Sequence, residues 1–180
     1  MRKVKGSMFI MFVKAIRADK SGAFDKYLTD SDREVVSQVI LQSGWYPYET
    51  YKNCFKAVAE VMANNDPKTL IEWGREYGEA TMSSIYKTVV KKDDVVSAMD
   101  TYQNVFKSQF DFGEIKCDVT GDNELEITIS GFDKDFEQWY YVALGWISRT
   151  VELVAKKDAK ASIVKRSWKG EGDTVLKVSW

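Results

Sequence analysis

One hundred and eighty residues, 44% of them hydrophobic and 29% charged, supply enough apolar material for one globular core, and residues 1–180 read as a single domain. Twenty-six cations against 27 acids leave a net charge of −1, which argues against a broadly basic nucleic-acid-binding surface. The chain has no histidine, which excludes His-based zinc sites, Ser-His-Asp and Cys-His catalysis and histidine-ligated haem. Its two cysteines, Cys54 and Cys117, form no CxxC pair. They read as reduced thiols of a cytoplasmic protein with no metal site.

The basic Met1-Arg-Lys-Val-Lys5 and apolar Met8–Val13 are interrupted by Lys14 and Arg17, with no small-residue cleavage site following. They predict an amphipathic first helix rather than a signal peptide, and no stretch is long enough to insert in a membrane. Ser31 and Glu34 have the spacing of a capping box opening a helix to about Leu41. Pro47 precedes a helix whose Tyr48, Tyr51, Phe55, Val58, Ala59 and Met62 make one stripe. Asp66-Pro67 reads as N-cap and first turn of a helix to about Val90, with Leu70, Trp73, Tyr77, Met82, Ile85 and Val89 apolar. Gly74 and Gly78 on it mark either close helix packing or room for a ligand. Asp93 is expected to cap a helix to about Phe110 with Val95, Met99, Tyr102 and Phe106 on one face.

The period then drops to two. Glu114–Val119 and Leu125–Ile129 alternate about Thr120–Asn123, a β-hairpin. Asp133 or Asp135 is placed to cap a long aromatic-rich helix, Phe136 to about Ala155, and Ala161–Val164 with Val175–Val178 make a second hairpin. The reading is an α+β domain: an N-terminal helical bundle, about 1–111, followed by ββαββ, about 112–180, with a four-stranded antiparallel sheet.

That order, with particular residues, resembles the haem–nitric oxide/oxygen binding (H-NOX) family. Val4-Lys-Gly-Ser-Met-Phe9 is similar to the family's glycine-containing approach to its first helix. Glu49-Thr-Tyr51, Ala57-Val-Ala-Glu-Val61, Leu70 and Trp73-Gly-Arg-Glu-Tyr77 resemble its distal helical segment. Met99-Asp-Thr-Tyr-Gln103 resembles the helix bearing the haem-ligating histidine, with Gln103 where that histidine falls. Where the family's Tyr-x-Ser-x-Arg motif grips the haem propionates, this chain reads Thr128-Ile-Ser130-Gly-Phe132, keeping the serine and losing the guanidinium clamp. The resemblance implies the fold and, through these departures, no haem cofactor. The 4-vinyl reductase and TRAPP-type domains share the architecture, but the last hairpin here lacks the cysteines of the former.

Eight residues are candidates for an apolar ligand pocket: Trp45, Tyr48, Tyr51, Trp73, Tyr77, Tyr102, Gln103 and Trp139. The plainer alternative for the aromatic ones is core packing, and for the crowded Trp139, Tyr140, Tyr141 and Trp146 also a dimer interface. A Tyr phenolate or Cys thiolate can ligate haem iron, so Tyr102 and Cys54 are the remaining donors to weigh. Glu72, Arg75, Glu76 and Glu79 read as a solvated charged helix face. No catalytic residue is singled out. The expected function is a non-enzymatic sensor or apolar-ligand-binding module that has lost haem and signals to a partner protein, with homodimerisation expected. The alternatives are a homodimeric scaffold without ligand, or a haem protein with a Tyr or Cys ligand.

Overall fold

A computed structural model describes residues 1–90 and 94–180, without the side chain of Val89. The expected roles of Val89 on a helix face and of Asp93 as a cap lie outside the described residues. The chain forms β1 (Lys3–Lys5), α1 (Gly6–Ala18), α2 (Asp30–Ser37), β2 (Trp45–Pro47), α3 (Tyr48–Ala63), α4 (Pro67–Ser84), α5 (Lys87–Val90), α6 (Val95–Gln109), β3 (Glu114–Gly121), β4 (Glu124–Ser130), α7 (Glu137–Ala155), β5 (Lys160–Lys165) and β6 (Thr174–Ser179). The class is α+β with a four-stranded antiparallel sheet in the order β3-β4-β6-β5, as the alternation predicts. Two compact units arise: Met1–Asp66 with Lys107–Phe112, and Pro67–Phe106 with Gly113–Trp180. The division therefore does not follow the helix-to-sheet change near residue 111, because α4 and most of α6 group with the sheet.

In the first unit β1 pairs antiparallel with β2 through Val4↔Tyr46, a two-stranded ribbon that the short apolar runs did not announce. The capping box lies two residues before the predicted one. Thr29 Oγ1 accepts the Asp32 N–H at 3.2 Å, and the Asp32 carboxylate accepts the Thr29 N–H at 3.0 Å. Asp32 is buried, and its carboxylate also takes Thr29 Oγ1–H at 2.8 Å and Asn53 Nδ2–H at 2.9 Å. Burial opposes its charge, but these donors hold its pKa below the usual carboxylate range. These bonds seat the helix start at Asp30, and α2 ends at Ser37 rather than near Leu41, where the backbone turns extended at Gln38. The residues after it form a strap along α1, where the Arg17 guanidinium donates to the carbonyls of Val36 and Gln38.

The second unit is organised by two helices, α4 and α7, whose backbones approach closely at glycines. A β-carbon at Gly74 would land on the Val142 carbonyl oxygen, and one at Gly145 on the Ile71 carbonyl oxygen. The buried stripe of α4 is therefore Leu70, Gly74, Gly78, Thr81 and Met82, which keeps Leu70 and Met82 of the sequence pattern and replaces its aromatic residues by glycines and a threonine. Trp73 and Tyr77 are half-buried, and Ile85 is 72% exposed. α4 stops at Ser84 instead of running to Val90. There Thr81 and Ser84 hydroxyls turn back onto the Tyr77 and Ala80 carbonyls, and the Tyr86 N–H reaches the Thr81 carbonyl, five residues back. The N-terminal cap of α6 is Asp94, whose Oδ1 accepts the N–H groups of Val96 and Ser97.

The sheet presents one apolar face, through Ile115↔Ile129, Cys117↔Ile127, Ile127↔Leu176 and Leu125↔Val178. α7 begins at Glu137 after Phe136, with no side-chain cap. Asp133 Oδ1 accepts the Asp135 N–H and shapes the preceding turn instead. Trp139, Tyr140 and Trp146 are all buried on α7. A second surface for this helix comes from the 3₁₀ turn Ser167–Lys169, where Trp168 stacks on Tyr140 at 5.1 Å and meets Tyr141 at 5.9 Å.

Gly74→Ala and Gly145→Ala test the crossing. In an isolated helix each change would be stabilising by up to about 1 kcal/mol. Here each should destabilise by about 3 kcal/mol, because backbone must move to admit the methyl group. The check is the urea unfolding midpoint.

Candidate functional site

The eight pocket candidates fall among separate packing arrangements. Tyr48 and Tyr51 are wholly buried on one face of α3 with rings 6.1 Å apart. Tyr48 meets Phe112 edge-on at 4.6 Å, and Tyr51 is ringed by Phe9, Phe12, Phe55 and Phe110 at 5.8–6.3 Å. Trp45 is different: it is 43% exposed, with Lys5 Nζ 4.2 Å from its ring centroid. All of these belong to the first unit.

In the second unit Tyr102 is buried and stacks on Trp146 at 4.7 Å with 26° between ring planes. The Trp146 indole N–H donates to Thr81 Oγ1 at 3.0 Å, so α6, α7 and α4 meet through one aromatic pair. Gln103, the next residue, is half-buried, and its amide donates to Asp100 Oδ1 at 3.2 Å. Trp139 is buried against Phe132 at 4.4 Å and Phe106 at 6.0 Å. Trp73 and Tyr77 lie half-buried on α4. The Tyr77 phenol is pushed up by burial and then by the neighbouring Tyr86. Phe106 and Phe132, absent from the candidate set, complete this cluster; the sequence marks Phe106 as a helix-face residue and Phe132 as the end of the altered propionate motif.

The charged face of α4 is less solvated than its sequence implies. Arg75 grips Glu152 of α7 with two bonds of 3.0 and 2.9 Å and reaches Ser148 Oγ at 3.2 Å. Arg149 of α7 donates to Glu152 Oε2 at 2.9 Å and from Nε to Glu79 at 2.6 Å. Glu72, exposed and 3.8 Å from Arg75 Nε, extends this chain of ion pairs by a longer contact. The glycine crossing brings the two backbones close enough for α4 and α7 to exchange these charges. Burial raises the Glu152 pKa, but hydrogen bonds from Arg75 and Arg149 outweigh it and hold the carboxyl below its usual range. Beyond it, Arg149, Glu152, Lys156, Lys157 and Asp158 line an open polar concavity of about 390 Å³.

The ionisable groups are not tuned toward neutrality. Burial, reinforced by the Asp32 charge, pushes the Cys54 thiol up to about 12, and burial with Asp100 and Asp118 does the same to Cys117. Burial and then the neighbouring Cys117 raise the Tyr102 phenol. Each resolved carboxylate shift, at Asp19, Asp32, Glu124 and Glu152, is downward. Among the described residues there is no group of three or more His, Cys, Asp or Glu placed to hold a metal ion.

No protein-family model matches the chain, and no curated protein matches its sequence. Solved structures do. The Fe(II) unliganded H-NOX protein from K. algicida superposes with TM-score 0.66 over 97% of this chain and 95% of that one, at 15% identity. An H-NOX protein from S. oneidensis in the Fe(II)NO ligation state gives 0.65 over 97% and 98%, at 14%. An oxygen-binding H-NOX domain related to soluble guanylate cyclases gives 0.62 over 97% and 94%, at 16%. The chain has the H-NOX fold. Haem is named for other structural neighbours of this fold, so its fit to these residues can be tested. Iron needs a basic donor, and the chain offers no imidazole. The alternative donors Tyr102 and Cys54 are buried with their protons held on. Phe132, where the sequence resemblance expects the arginine of the H-NOX clamp, is packed into the aromatic cluster against Phe106, Trp139 and Tyr140. This donor set does not fit a haem.

Glu152→Gln should weaken the α4–α7 pairing by about 1–2 kcal/mol at pH 7. A carboxyl with a depressed folded-state pKa contributes fully above the unfolded value, about 4.3, and loses that contribution as pH falls through its folded value. The difference between wild type and variant should therefore shrink below about pH 4.3. Urea titrations at neutral and acid pH check it.

Proposed function

We propose that this chain is a non-enzymatic, haem-independent module on the H-NOX fold, closed by its own aromatic side chains and acting through contact with a partner protein. The observation that carries the reading is Tyr102. It sits beside Gln103, at the turn where the H-NOX resemblance places the iron ligand, and it is locked against Trp146 as a neutral phenol. A haem iron there would have to break that stack and remove a proton that burial retains. The loss of the histidine and of the arginine clamp point the same way. A non-enzymatic role agrees with carboxylates held low and thiols and phenols held high, since acid–base chemistry at neutral pH uses groups poised near it.

The partner contact is assigned to α7, the helix that carries Tyr102's stacking partner and the Arg149–Glu152 pairing. A displacement of Trp146 would pass along this helix to the exposed Lys156–Lys157 end.

Titration of the purified protein with haemin, followed by visible absorption, decides the cofactor part. The expected spectrum is that of free haemin. A sharp stoichiometric Soret band, lost in Tyr102→Phe or Cys54→Ser, would overturn the reading. Native mass spectrometry of the same preparation should show the mass of the chain or its oligomer alone. A retained apolar molecule would convert the module from a contact protein into a ligand sensor.

A further inference from the structure

The strap from Val36 to Gly44 is pinned to α1 at both ends. Arg17 holds the Val36 and Gln38 carbonyls, while Ser7 N–H donates to Gln42 O and Gly6 N–H to Gly44 O, both at 3.0 Å. Ser7, Met11, Lys14 and Arg17 follow one another on one side of α1 at four- and three-residue steps. Met11 and Lys14 lie between the two anchoring residues on that side of α1. Ile40 turns inward and is buried, and its neighbours project outward: Val39 is 79% exposed, Leu41 61% and Met11 61%. At the strap's end half-exposed Trp45 lies under Lys5, whose ammonium also donates to Ser43 O at 3.0 Å. The backbone beneath these apolar side chains is held by the hydrogen bonds just named, so their projection is built in.

The charge of the first twenty residues is one-sided. Residues 1–20 carry six cations and one acid. The remainder of the chain holds 20 cations against 26 acids. The single acid, Asp19, is occupied locally by the N–H and hydroxyl of Ser21 and the N–H of Ala23. Residues 36–47 carry no charge at all. Lys14 and Lys20 are exposed.

We propose that this face docks onto an anionic phospholipid surface, with Val39, Leu41, Met11 and Trp45 entering the interfacial layer and Lys5, Lys14 and Lys20 meeting the headgroups. Apolar tips interleaved with ammonium groups, and a tryptophan beneath a lysine, suit the boundary between acyl chains and phosphates. Protein interfaces, by contrast, are depleted in lysine. The association is peripheral: among the described residues no helix is long and apolar enough to cross a membrane.

Co-sedimentation with vesicles tests it, comparing phosphatidylcholine alone with phosphatidylcholine containing about one-third phosphatidylserine. At about 0.1 M salt the full chain should bind the anionic vesicles at least about tenfold better. The double variant Val39→Asp/Leu41→Asp should lose about tenfold or more of that binding, and Lys14→Glu about fivefold or more. Because these side chains are exposed, circular dichroism of the variants should match wild type; if the double variant misfolds, Lys14→Glu alone decides. Equal or absent binding to both vesicles, or unchanged binding by a folded variant, overturns the proposal. So does a concentration-dependent dimer, abolished by the double variant, in a protein that ignores vesicles, since the face would then be a self-contact.

Discussion

The crossing of α4 and α7 is the constraint on which the second unit depends. Three glycines, Gly74, Gly78 and Gly145, remove the side chains that would keep the two backbones apart. Everything else in the unit follows from that closeness. Thr81 comes within hydrogen-bonding reach of the Trp146 indole, and Arg75 and Glu79 come within reach of Glu152 and Arg149. Trp146, held in this way, offers a flat face to Tyr102 of α6. The glycines lower intrinsic helix stability, and tertiary contact offsets the loss through packing and charge-assisted bonds.

The same closeness bears on function. Tyr102 has a stacking partner because Trp146 is fixed, and burial, with Cys117 nearby, pushes its phenol further from the ionised form. Phe132 lies in an aromatic cluster with Trp139, Phe106 and Tyr140, where the H-NOX resemblance expects a cation for propionates. The chain thus keeps the H-NOX fold while Tyr102 and Phe132 are both engaged in aromatic packing. In the first unit the aromatic side chains of α1 and α3 pack on one another in the same manner, and its polar contacts include the buried Asp32 cap and the Arg17 strap.

Much of this was legible in the sequence. Period-two alternation located β3 and β4, since one buried face makes alternation obligatory, while β5 and β6 read as a hairpin about the Lys169–Asp173 turn. The stripe on α3 and the face of α6 appeared at helical spacing, and every residue named on the α6 face is buried. The α4 pattern misled for a physical reason. Apolar spacing marks large residues, and α4 buries its smallest ones, leaving Trp73 and Tyr77 at the margin. The capping box moved because Thr29-x-x-Asp32 satisfies the same spacing as Ser31-x-x-Glu34, and Asn53 of α3 adds a third donor that only the fold brings near.

By itself the sequence determined the fold class, the order of the elements and the absence of an imidazole donor, because period and composition are local properties of the chain. It also carried the uneven charge of residues 1–20. Only the tertiary structure decided which aromatics are packed and which project, since that depends on partners distant in sequence: Trp146 for Tyr102, Phe112 for Tyr48, and Lys5 for the half-exposed Trp45. The pinned strap is likewise tertiary. Nothing in Val36–Gly44 announces that Arg17 and Ser7 hold it to α1 and so turn Val39 and Leu41 outward.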